Sequence, residues 1–181
     1  MNEPITITID INVDSPLLIE HGVSCALQGV WHPNTAEQAA AWDLLVELVT
    51  RISVVGLKDD EGKLDAALES YAGIFGAARG ALQRHGSGVA TERRGELSFA
   101  AIVAHFLNRV IRPVTAWWHP RVAQLDAESE ANLRTTLAEL SRLVTEYAKV
   151  LAQACDAKEF VRYLVDEGMH YRRPAQSEDH D

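Results

Sequence analysis

The chain has 181 residues, 47% of them hydrophobic and 24% charged, which suits a globular protein burying roughly 70% of its unfolded surface. Its formal net charge of −9 opposes nonspecific binding to nucleic acid or to an anionic membrane surface. No apolar run approaches the roughly 20 residues that span a bilayer, and MNEPITITID lacks the basic-then-apolar order of a signal peptide, so the expected location is the cytoplasm.

Residues 5–13, ITITIDINV, alternate strictly, with Ile5, Ile7, Ile9, Ile11 and Val13 on one side and Thr6, Thr8, Asp10 and Asn12 on the other. Period two with β-branched residues predicts a half-buried strand. Asp14-Ser15-Pro16 ends it, and the less regular stretch from Val23 to Trp31 can supply a second strand. The expected β-unit over 5–31 holds two or three antiparallel strands. A sheet that small must bury its isoleucine face against helices.

From Asn34 the period changes. Asn34 or Thr35 serves as N-cap with Glu37 in the first turn, and Trp42, Leu45, Leu48, Val49, Ile52 and Val55 then predict a helical face ending at Gly56. A second helix places Leu64, Ala67, Leu68, Tyr71, Ile74, Phe75, Ala78 and Leu82 on its apolar side. Gly73, Gly76 and Gly80 interrupt it, at about 1 kcal/mol each relative to alanine. Their shared side predicts a close helix–helix approach or room for Trp117 or Trp118; a docking groove is the alternative. His85-Gly86-Ser87-Gly88 follows a helix, not a strand, and reads as a C-cap, not a nucleotide loop.

The stretch from Leu97 to Arg121 organises the rest. Leu97, Ala100, Ala101, Ala104, Leu107, Ile111 and Val114 make one stripe, and Phe99, Val103, Phe106 and Val110 make another beside it, so a central, buried helix is expected. Pro113 cannot donate to the carbonyl of Arg109 and predicts a kink or break there, with Asn108 and Arg112 as polar residues around the bend. Pro120 sets the expected end near Trp118. Asp126 then caps a fourth helix whose Leu133, Leu137, Leu140, Val144, Tyr147, Leu151 and Ala154 form a bundle-type seam. Phe160, Val161, Leu164 and Val165 predict a short last helix, and 171–181 a disordered polar tail. The predicted fold is mainly α: an antiparallel four-helix bundle over about 35–168, preceded by the small antiparallel β-unit, all in one domain spanning 1–170.

Reactive constellations are missing from the sequence pattern. There is no G-x-S-x-G, H-E-x-x-H or paired CxxC, and Glu167-x-x-His170 is half of a di-iron motif that needs a second half elsewhere. Cys25 and Cys155 sit among apolar residues and read as small core residues, and His105 reads as a satisfied core or edge histidine. No cofactor or metal is expected.

Three segments, AWDLLVELVTRI at 41–52, SYAGIFGAARGALQRHG at 70–86 and SFAAIVAHFLNRVIRPVTAWWHPR at 98–121, together resemble a group of small helical accessory proteins of actinobacterial and cyanobacterial conflict systems. The match rests on Leu107-Asn108, Arg112-Pro113 and Trp118-His119-Pro120; Trp117 departs from the pattern, where a smaller or basic residue is expected. The resemblance brings no catalytic residues. It implies a non-enzymatic adaptor in an anti-phage system that binds a protein partner, and the candidate surface surrounds Asn108, Arg112, Trp118 and His119. A self-associating protein that pairs through the strand edge or helix faces is an alternative, as is a bundle that binds a small molecule or metal, with its pocket under the glycines.

Overall fold

A computed structural model describes residues 3–10, 16–24, 26–51, 63–91 and 95–161. The protein is mainly helical, with a two-stranded antiparallel sheet near its N-terminus. Strands β1 (Ile5–Asp10) and β2 (Ala26–Trp31) pair in a register that sets Ile5 opposite Trp31, Ile7 opposite Gly29 and Ile9 opposite Leu27. The alternation works as read: Ile5, Ile7 and Ile9 are buried, while Thr6, Thr8 and Asp10 face outward. Residues 11–13 of the expected strand lie outside the described residues. Gly29 has a steric role, because a Cβ there would stand 2.8 Å from the side chain of Leu97. That close approach lets Leu97 donate its backbone N–H to Val30 at 2.8 Å and tie the sheet to the helical part.

A five-residue helix α1 (Pro16–Glu20), not anticipated from sequence, lies between the strands. Four longer helical runs follow: α2 (Thr35–Val49), α3 (Leu64–His85), a rod made of α4 (Phe99–His105), a π-turn (Phe106–Ile111) and α5 (Arg112–Trp118), and α6 (Ala127–Ala154). Helix α2 packs on both α3 and α6, and β1 and α1 rest on α6. The sequence face assigned to α2 is shifted in the structure. Its buried apolar residues are Ala40, Ala41, Leu44, Leu45 and Leu48, Trp42 is exposed, and Ile52 to Gly56 fall outside the described residues. The seam of α6 is buried at every predicted position, from Leu133 to Ala154.

The proline rod is continuous. Through the π-turn the Arg112 N–H reaches the carbonyl of Leu107, five residues back, and the wider turn accommodates the Pro113 ring. The Arg109 carbonyl, which Pro113 cannot serve, accepts the backbone N–H of Ser24 at 3.2 Å. Burial on all sides is corrected: Phe99, Val103, Phe106, Val110, Val114 and Trp118 face the core, whereas Ala101, Ala104, Asn108, Arg109 and Arg112 are exposed. The Phe160–Val165 helix appears as a 3₁₀ turn over Lys158–Val161; later residues, including the 171–181 tail, lie outside the described residues.

One buried carboxylate joins these parts. Glu37, 3% exposed, completes a capping box with Asn34: its Oε2 accepts the Asn34 N–H at 2.9 Å and its own N–H donates to Asn34 Oδ1 at 3.0 Å. Its Oε1 accepts the N–H of Phe99 at 2.8 Å, the first residue of the rod. Asn34 Nδ2 meanwhile donates to the Gly88 carbonyl at 3.0 Å. Two helix N-termini and the turn after α3 thus converge on two side chains. Glu37→Ala leaves two backbone donors unserved, one of them buried, and is expected to cost about 3 kcal/mol in urea unfolding. Glu37→Gln, with one acceptor oxygen in place of two, should fall between; a wild-type midpoint for the alanine variant would remove Glu37 from this role.

Candidate functional site

The structure separates the four residues singled out by sequence. Asn108 and Arg112 sit one turn apart on the exposed side of the rod: Asn108 Nδ2 donates to the Ala104 carbonyl at 2.9 Å, and Arg112 Nε donates to Asn108 Oδ1 at 3.1 Å. The Arg112 guanidinium also lies 5.0 Å from the centre of the Phe75 ring. His119 is exposed beyond the end of α5. Trp118 does not share that surface. It is only 4% exposed, whereas its neighbour Trp117 is 44% exposed and carries Arg121 over its ring at 4.1 Å. The accessible ring of this pair is therefore Trp117, and not the Trp118 singled out from the sequence.

Of the two expectations for the α3 glycines, seating another helix or Trp117 or Trp118 is overturned, and the space beside them is open. A Cβ at Gly76 or Gly80 would meet nothing within 4 Å, and one at Gly73 would meet only the Arg51 guanidinium. The three glycines floor an open groove of about 550 Å³ between α2 and α3. Trp42 forms one wall, 45% exposed, with its ring centre 5.5 Å from that of Phe160. The charged residues along the groove are paired with one another. Asp43 accepts from Arg84 and lies 2.8 Å from His85 Nε2, and Glu47 lies 2.6 Å from Arg51. Partial burial opposes ionisation of Asp43, but the hydrogen bonds from His85 and Arg84 outweigh it and hold the carboxyl below its ordinary range. The groove thus presents an indole, Val46, Ala77 and bare glycine backbone beside these ion-paired side chains, of which Arg84 and Glu47 stay well exposed.

Two further polar groups are drawn into packing. His105 Nδ1 and the Tyr147 hydroxyl are joined by a 2.8 Å hydrogen bond with the rings stacked, and burial followed by the Arg109 charge holds the imidazole below its usual value. Cys155 is half-buried, donates to the Leu151 carbonyl at 3.1 Å, and has its thiol pushed up chiefly by burial, the opposite of an activated nucleophile. Cys25, Glu167 and His170 lie outside the described residues. Among the described residues no three His, Cys, Asp or Glu side chains are grouped to hold a metal ion, and no helix is long and apolar enough to cross a membrane. No family model, curated protein or solved structure matches this chain.

Two outcomes follow from this geometry. Gly76→Ala and Gly80→Ala place a methyl group in open space on a helix interior and should each stabilise by about 1 kcal/mol, read as a rise in Tm. A drop in Tm would mean that the floor is already covered. Stability should also decline with acidity on account of His105. Its folded form resists the proton that the unfolded chain binds near 6.5, so stability is lost as pH falls from 6.5 toward the lower folded value. His105→Gln should flatten that part of the pH profile in thermal unfolding.

Proposed function

We propose that this protein is a non-enzymatic accessory module that binds a protein partner, and that the partner enters the glycine groove between α2 and α3 as a helix with an apolar, small-residue face. The observation that carries the reading is the exposed Trp42 indole standing over a floor of Gly76 and Gly80 backbone. Helix-in-groove recognition uses such pairings of an aromatic anchor with a close-approach floor. Asp43 and Glu47 are paired within the groove, which disfavours a strongly charged peptide, while the exposed Arg84 and Glu47 can meet polar groups flanking the occupant's apolar face. On this reading the four long helices form an antiparallel four-helix bundle whose α2–α3 seam is left open on one side. The resemblance drawn from residues 41–52, 70–86 and 98–121 supports placing the module in a bacterial conflict system.

The face around Asn108, Arg112 and His119 is a second docking surface on this proposal, with Trp117 in place of Trp118 as its aromatic anchor. By helical spacing Phe75, which carries Arg112, projects from α3 roughly opposite Gly73 and Gly80, so the two surfaces can be tested apart. Affinity purification from the native cell should recover a partner with wild-type protein and lose it with Trp42→Ala or Gly80→Leu. Retention by both of those variants, with loss in Arg112→Ala or Trp117→Ala, would transfer the function to the second surface. Binding unchanged in all four would end both assignments.

A further inference from the structure

Residues 16–24, which contain α1, are held against the helical part by three contacts of different chemistry. The carboxylate of Glu139 on α6, 7% exposed, lies beside the backbone N–H of Leu18, with its Oε2 buried and unpartnered. His21 packs its ring against both tryptophans at the end of the rod, 5.3 Å from Trp117 in a tilted contact and 5.4 Å from Trp118 edge-on. Ser24 donates its N–H to Arg109. Leu18 and Val23, both within the segment, are its buried apolar residues.

The middle contact differs from an ordinary core histidine. Both ring nitrogens of His21 are buried and neither makes a hydrogen bond, and the adjoining Trp118 Nε1 is buried without a partner as well. A neutral imidazole leaves one N–H unserved in this setting. An imidazolium would leave two, carrying a full charge, which is the costlier state. The indole faces could offset part of that charge, but Arg121 already occupies the Trp117 ring. Burial, the largest influence, favours the neutral ring; Glu20 beside it works the other way, and Arg121 adds to the burial effect.

We propose that His21 is an acid-sensitive latch whose protonation releases residues 16–24 from the end of the rod and uncovers Trp118. The other titratable contact cannot produce that response. Burial raises Glu139 above the ordinary glutamate value, against smaller opposing effects from Arg142 and the Leu18 N–H. Its folded form therefore takes up a proton more readily than the unfolded chain, and acid favours the packed state at that position. The two contacts have opposite signs, so opening on acidification is assigned to the imidazole. Release also withdraws Ser24 from the Arg109 carbonyl, so the effect extends to the π-turn.

Hydrogen exchange of the full chain, corrected for intrinsic rates and followed from pH 8 to pH 5, tests the latch. The amide of Ser24 and those of 18–23 should lose protection severalfold on acidification, over the same range in which the His21 Cε1 proton titrates by NMR. That range should lie below the ordinary histidine value of 6.5. His21→Phe, which keeps an aromatic ring and removes the titration, should abolish the change, while His105→Gln should leave it intact. The NMR arm needs only wild-type protein, so the test survives a variant that fails to fold. A His21 midpoint at or above 6.5, protection constant across the titration, or an unchanged response in His21→Phe would each overturn the proposal.

Discussion

The fold depends most on what happens to helix ends. A helix leaves its first backbone N–H groups without internal partners, and a buried start is costly unless something accepts from them. Glu37 accepts from two such places, at the head of α2 and at Phe99 where the rod begins. Ser98, buried beside it, accepts from Ala101 and shares the work at the rod. Because the carboxylate is fixed by its own capping box, it sets where the rod enters relative to α2. The position of the rod then determines where Pro113, Trp117 and Trp118 lie.

Local pattern predicted much of this. The isoleucine alternation of β1, the Asn34 and Asp126 caps and the α6 seam were all legible, because each depends on residues within a few positions of one another. Glu37 was visible as a first-turn acid. Its second partner, 62 residues away in sequence, was not. The exposed side of the rod is not legible in the sequence, because its two apolar stripes look equivalent. The informative signal was the even spacing of Phe106, Val110, Val114 and Trp118. Steps of four drift by about 40° each in an α-helix, and a π-turn absorbs that drift.

The candidate surfaces were less legible, since exposure is decided by distant elements. Nothing in the WW pair says which ring turns inward; the phase of the rod decides it, and Trp117 is the one left outside. The glycines of α3 looked like a close-packing device because such residues often are one. Here no neighbour occupies the space above Gly76 and Gly80, and Trp42 stands at the side, where a strictly amphipathic reading of α2 would bury it. His21 gave no sequence signal at all, as a lone histidine before a glycine reads as turn punctuation.

The π-turn has one more implication. Such a turn is an ordinary helix with a surplus residue, so cutting one position from the 106–111 segment would leave both flanking halves presenting the faces they present now. Phe99 would still point inward at one end and Trp118 at the other. What the surplus gives is slack around the proline ring, and with it a carbonyl turned toward the strand-connecting loop. The extra residue thus serves both the rod, which has to seat the Pro113 ring, and the neighbour docked at Ser24.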